Sequence, residues 1–276
     1  MKIKIVADSS ANLLTLPDID FGIVPLHIIV GENDYIDDDK IDLTVMQENL
    51  SSYKGKTSTS SPSPHEWENA FGDADVVFCI TITSSLSGTY NSAVIAKDIY
   101  EQNHTGRKVY VLDSLSTGPE IALFIEKIAE LIKAGFAPDD IYKTLLEYKD
   151  KTHLYFSLAS LNNFAKNGRI SPVIAAGIGL LGVRVVGKAS DEGTLLPLDK
   201  CRGEKRALKK LIDHLKECGY TDGKIIIAHN NNEAGSLELK KLIENTFGIF
   251  NGKIQKTRAL CSYYAEPGSL LIGFEA

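Results

Sequence analysis

The sequence predicts an α/β protein in two parts, an N-terminal parallel-sheet α/β/α domain over residues 1–150 and a C-terminal α+β domain over residues 151–276. Three observations lead there. Through the first half, short β-branched runs alternate with amphipathic stretches, the order expected of a parallel sheet covered by helices on both faces. Past residue 150 that alternation gives way to unevenly spaced strands and a Gly-containing hairpin turn at Asp191-Glu192-Gly193. A chain of 276 residues, 43% apolar and 24% charged, also suits two globular domains at ~150 residues each.

The first strand is expected at residues 3–7, followed by strands at 23–30, 76–83 and 109–112, each a β-branched or aromatic run bounded by polar residues. Helices are expected at 43–50, 65–71, 88–100 and 120–134, the last opened by Pro119 and followed by Gly135. A further helix at 138–148 carries Ile141, Leu145 and Tyr148 at core-facing spacing, and an extended segment follows at 154–158. The second half reads as a small-residue helix at 172–181, strands at 183–187 and 194–198, and a charged helix at 202–217 ending before Gly219. A strand at 225–228, a helix at 233–247 and strands near Ile254 and at 270–274 complete it.

Composition excludes several classes. Thirty basic against 36 acidic residues give a formal net charge of −6, the wrong sign for phosphate neutralisation, so nucleic acid is not an expected partner. The start MKIKIVADSS reaches Asp8 too soon to hold a signal-peptide apolar region, and no apolar run approaches the ~20 residues of a membrane span; a cytoplasmic, non-membrane-spanning protein is expected. Cys79, Cys201, Cys218 and Cys261 lie far apart without a CxxC pair, fitting reduced thiols used as small hydrophobes. The six histidines form no ligand spacing, so no metal is expected; His229, at the end of an apolar strand, stands apart as either a satisfied core residue or a base.

Three segments carry hydroxyls to places where a ligand can sit. Asp8-Ser9-Ser10 follows the first strand at the sheet edge where open α/β folds bind ligands, although Asp and Ser there also serve as turn and N-cap residues. The run from Thr57 to Ser63 precedes a helix that Pro64 starts; it is either an oxygen-anion site or a solvated loop. Ser84-Ser85-Leu86-Ser87-Gly88-Thr89-Tyr90 follows a very apolar strand, placing hydroxyls, a glycine and a helix N-terminus at the carboxyl edge of the sheet. It is neither a GxSxG elbow nor a Walker loop, so it offers an anionic head group donors without a nucleophile or nucleotide signature. Ser87 as a cap is the competing role. Cations gather at Arg169, Arg184, Lys188, Lys200, Arg202, Lys205 and Arg206, where a solvated helix face is the ordinary explanation.

Taken in order, DSSA, TSTSSPSP, SSLSGTYNSA, NGRIS, KCRGEKRAL and EPGSLLIGF resemble the DegV family of bacterial fatty-acid-binding proteins over essentially the whole chain. The resemblance implies two α/β domains that bury a long-chain fatty acid as ligand, with no cofactor, and no catalytic residue of its own. It implies a lipid-presenting subunit whose carboxyl group is phosphorylated by a separate ATP-binding fatty acid kinase subunit. By position, the family's carboxyl-binding pair falls on Thr59 and Ser60, and its SGT motif on Ser87, Gly88 and Thr89. The kinase-facing arginine matches Arg169, and the basic K-x-R pair matches Lys200 and Arg202. Two departures stand out: Tyr264 replaces the family's terminal histidine and joins the lipid-binding set, and Arg184-Val185 stands where Lys-Pro is frequent. A lipid-sensing regulator without a kinase and a serine acyl hydrolase built on Ser87 and His229 are the alternatives.

Overall fold

The computed structural model describes residues 1–171 and 182–276; the helix expected at 172–181 lies outside them. The first sheet has the order β2-β1-β6-β7 and is parallel throughout, formed by β1 (Ile3–Asp8), β2 (Phe21–Val24), β6 (Val76–Thr81) and β7 (Lys108–Asp113). β6 is buried along its whole length, as a central strand covered on both faces must be, which is why VVFCIT is apolar without alternation. One face, with Val6, Val77 and Cys79, packs on Trp67 and Phe71 of α2 (Pro64–Phe71) and Tyr100 of α3 (Thr89–Asn103). The opposite face, with Ile5, Phe78 and Ile80, packs on α4 (Pro119–Lys133) and α5 (Pro138–Lys149). α2 starts as the sequence specifies: Ser63 and Glu66 form a capping box ahead of Pro64.

The second sheet has six strands in the order β10-β9-β8-β13-β11-β12, antiparallel except where β11 (Ile225–His229) meets β12 (Gly252–Lys256). Its other strands are β8 (Thr152–Leu158), β9 (Val183–Ala189), β10 (Leu195–Arg202) and β13 (Leu270–Glu275). α7 (Glu204–Glu217) and α8 (Glu233–Phe247) cover one face through Leu208, Leu211, Leu239 and Ile243. The N-terminus of α4 reaches the other face, where the Thr152 hydroxyl donates to the buried Glu120 carboxyl at 2.8 Å.

The structure departs from the sequence expectations at four places. Residues 23–30 are not one strand, because Pro25 lacks the N–H a ladder needs; β2 ends at Val24 and β3 (His27–Val30) enters a different sheet. That third sheet, β4-β3-β5, is antiparallel and takes the hydroxyl-rich run as strand β5 (Thr57–Ser60) beside β3, with β4 (Asn33–Ile36) on the far side. The strand expected at 194–198 runs on through Lys200 to Arg202, which was expected to start the helix; Gly203, with φ of 82°, turns the chain before α7 begins. Two short helices, α6 (Asn162–Lys166) and α9 (Ala259–Ala265), had no periodicity to announce them. α9 closes the third sheet from behind, its Ala259 and Tyr263 packing with Ile28, Val30 and Met46 of α1 (Leu43–Ser52).

Candidate functional site

A cavity of about 260 Å³ lies between the carboxyl edge of the first sheet and the face of the second sheet opposite α7 and α8. A single water needs about 10–15 Å³, so this space is built for something much larger. The walls come from four sources. β8 turns Leu154, Phe156 and Leu158 inward on alternate positions, the period of a strand, and Leu271 of β13 stands beside them. α9 contributes Leu260, Cys261, Tyr264 and Ala265. The loops after β6 and β7 supply Ile82, Leu86 and Leu115. Most of this lining is apolar and most of these side chains are buried.

Hydroxyls collect at one end. Thr59 and Ser60 of β5, Ser61, Ser87 and Gly88 line the cavity together with Tyr264 and Arg169. The Tyr264 hydroxyl is 2.8 Å from Thr59 Oγ1, and its ring lies 4.8 Å from that of Phe164. One residue back, the Tyr263 hydroxyl is 2.7 Å from Thr57 Oγ1 and accepts from Asn167 Nδ2, so two tyrosine–threonine pairs in succession hold α9 to β5. Ser87 Oγ is 2.8 Å from Thr89 Oγ1. Thr89 itself is fully buried and off the lining; it orients Ser87 from behind. The N-cap position of α3 is Gly88, which brings the helix N-terminus to the cavity wall, while Ser87 Oγ accepts from the first helical amide, that of Thr89, at 3.4 Å.

The opposite end is closed by the tip of the β9–β10 hairpin. Thr83 Oγ1 donates to the Gly193 carbonyl at 2.9 Å, and Ser85 Oγ donates to the Glu192 carbonyl at 2.5 Å. Gly193 has φ of 75°, and a Cβ there would lie 2.1 Å from Thr83 Oγ1; only glycine lets the tip seat this closely.

Other residues singled out by the sequence are placed elsewhere. Asp8 is a structural clasp: fully buried, it accepts from the Ser10 amide at 2.9 Å and the Ile82 amide at 2.6 Å, and burial pushes its carboxyl up to about 6. His229 is buried, its Nδ1 accepting from the Asn232 amide at 3.3 Å, and burial lowers its basicity. It does not line the cavity, so the structure does not bring Ser87 and His229 together as a nucleophile and base. Arg184 is not a free cation: it pairs with Glu204 at 3.1 Å and donates to the Gly268 carbonyl at 2.6 Å. Arg169 is exposed at the cavity mouth, and among the described residues its side chain makes no ion pair. Lys200 and Arg202 are exposed, opposite Val185 and Val183 in the ladder, so they project from the cavity-side face of the sheet without entering the cavity.

The lining from Leu115 to Thr117, Cys261 and the 193–194 turn was not anticipated. Residues 154–158 were expected as an extended segment, without a part in the site. No group of three or more His, Cys, Asp or Glu side chains placed to hold a metal occurs among the described residues, and no helix among them is long and apolar enough to cross a membrane. The arrangement can bury one elongated apolar chain and satisfy an oxygen-bearing group at one end.

This architecture defines an α/β protein with an interior ligand cavity between two sheets, and comparison with known proteins agrees. The sequence profile described as "Uncharacterised protein, DegV family" matches residues 2–276. A DegV domain-containing protein of Streptococcus pneumoniae is 41% identical over 276 residues, covering 99% of this chain and 98% of its own. The crystal structure of the Streptococcus pneumoniae fatty acid kinase (Fak) B3 protein loaded with linoleic acid superposes with a TM-score of 0.98 at 40% identity, covering 100% of this chain and 99% of that one. A DegV family protein from Eubacterium eligens loaded with heptadecanoic acid gives 0.97 at 39% identity, covering 99% of each chain. The chain belongs to the DegV family.

Proposed function

We propose that this protein binds a long-chain fatty acid, burying the acyl tail along β8 and holding the carboxyl group at the end lined by Thr59, Ser60, Ser87, Gly88 and Tyr264. The observation that carries this is the cavity's division into a long apolar wall and one hydroxyl-rich end, in a chain similar to two proteins solved with fatty acids bound. Burying ~15 methylenes at ~0.8 kcal/mol each gives a gross ~12 kcal/mol before ordering costs are subtracted, so the tail dominates affinity. A hydrogen bond contributes a net ~1 kcal/mol, yet an unpaired buried carboxyl is heavily penalised, so the hydroxyls fix which end of the acid lies where. Thr89 acts in this scheme by orienting Ser87.

An acid held with its carboxyl at the cavity mouth is positioned for a second protein. The reading is that a separate ATP-binding fatty acid kinase subunit docks there and phosphorylates the carboxyl, with Arg169, Lys200 and Arg202 as the surface it meets. Their exposure, and the acidic balance of the rest of the chain, support that role. Denaturing extraction followed by mass spectrometry is expected to recover near-stoichiometric long-chain fatty acid. Delipidated protein that takes up no fatty acid saturably would overturn the reading.

A further inference from the structure

The cavity face of the second sheet is built in cross-strand layers. Leu158 faces Val185, which faces Lys200; Phe156 faces Gly187, which faces Pro197. Leu158 marks the hydroxyl end, since α6 and Phe164, whose ring packs tilted against that of Tyr264, follow it directly. Phe156 therefore stands in the middle layer, between that end and the Thr83–Gly193 closure. Its strand neighbour Gly187 has ordinary extended geometry and no turn to make, so backbone freedom does not explain the glycine. The space beside it does: a Cβ on Gly187 would lie 2.5 Å from the Leu196 carbonyl oxygen on one side and 2.6 Å from Phe156 Cζ and 2.7 Å from Cε2 on the other. The Phe156 ring edge occupies the volume that any other residue at 187 would fill.

We infer that Gly187 and Phe156 form a gauge for acyl chain length, the missing side chain letting the phenyl ring lie sideways over β9 so that the middle of the cavity stays open. A side chain at 187 drives the ring up into the path of the tail, and chains reaching beyond the middle layer lose their seat. The gauge rests on the fatty-acid reading above and adds a determinant of which acids are taken.

The test is equilibrium binding of decanoic, myristic and stearic acids to delipidated wild type, Gly187→Ala and the double variant Gly187→Ala with Phe156→Ala. Gly187→Ala is expected to bind decanoate like wild type and to bind stearate more weakly by about fourfold per methylene excluded. Removing the ring in the double variant is expected to restore stearate. Equal losses for all three acids, or a double variant as impaired as the single, would overturn the gauge. Because the new Cβ would also sit 2.5 Å from the Leu196 carbonyl oxygen, Gly187→Ala can fail to fold. Phe156→Trp then decides, since a larger ring over an unchanged glycine should give the same length-graded loss, and an ungraded profile refutes the idea. A wild type that binds none of the acids defeats the fatty-acid reading instead.

Discussion

At the hydroxyl end, Tyr264 ties α9 to β5. The Tyr264 phenol meets Thr59 Oγ1 at 2.8 Å, at the position where the family resemblance read from the sequence implies a histidine. A phenol with a reference pKa of about 10 gives a neutral donor across the physiological range, whereas an imidazole near 6.5 gains a charge as pH falls. Tyr264→His should bind fatty acid more tightly as pH drops through about 6.5, because the imidazolium then faces the carboxylate. Wild type and Tyr264→Phe should lack that rise, with Tyr264→Phe weaker by about 1 kcal/mol for the lost hydrogen bond. Affinity measured across pH for the three proteins checks this; superimposable profiles of equal affinity would remove Tyr264 from the head-group contacts. Ser87→Ala should cost roughly 1 to 3 kcal/mol against a fatty acid and spare an analogue lacking the carboxyl, as titration with an acid and its hydrocarbon counterpart would show.

Among the elements, α9 depends most on distant partners. Its first amides, from Ala259 and Leu260, are capped by the Asp37 carboxylate at 3.3 and 3.0 Å, and Asp37 also pairs with Arg258 at 3.2 Å. Asp37 is fully buried and Arg258 is 13% exposed, so Asp37→Ala leaves a mostly buried cation unpaired and should cost about 3 to 5 kcal/mol, read as a drop in unfolding midpoint. β10 tolerates more. Its Lys200 and Arg202 touch neither the cavity nor the core, and the double reversal Lys200→Glu with Arg202→Glu should keep bound lipid while losing a kinase subunit in a salt-dependent association assay. The contrast also explains what the sequence made legible. β6 as an unbroken apolar run, α2 with its capping box and α4 opened by Pro119 carry their own signals, and were readable alone. α9 is seven residues, too short for a periodic signal, and its cap lies more than 200 positions away, so nothing local marked it. The hydroxyls of β5 were readable as hydroxyls, but their strand pairing was set by β3 across a turn that Pro25 had disguised. Ser87 was legible from its hydroxyl-rich segment at the sheet edge, Tyr264 entered the site through family likeness, and Leu115, Thr117 and Cys261 had no local signature at all.

At the scale of the molecule, the two large sheets are joined by α4, and the joint is titratable. Glu120, 5% exposed at the start of α4, takes a hydrogen bond from Thr152 at the start of β8, and burial pushes its carboxyl up to about 7. A carboxyl near 4.3 unfolded and about 7 folded holds its proton more tightly in the native state, so folding stability is greatest below pH 4.3 on this account and declines as pH rises toward 7. The loss is on the order of 3 kcal/mol. Glu120→Gln should flatten that decline, measured by denaturant unfolding at several pH values. The tyrosine–threonine pairs have a different kind of consequence. They join residues 205 and 206 positions apart, so the hydroxyl end of the cavity is not assembled until α9 has docked on β5. Contacts of such long range form late and close large loops, which slows folding. A chain whose α9 has not yet docked on β5 therefore lacks this hydroxyl cluster, and a ligand that needs it can be held only after the long-range pairing is made. Fatty acid present during refolding should deepen the native well without speeding entry into it, acting on the unfolding rate and leaving the folding rate nearly untouched.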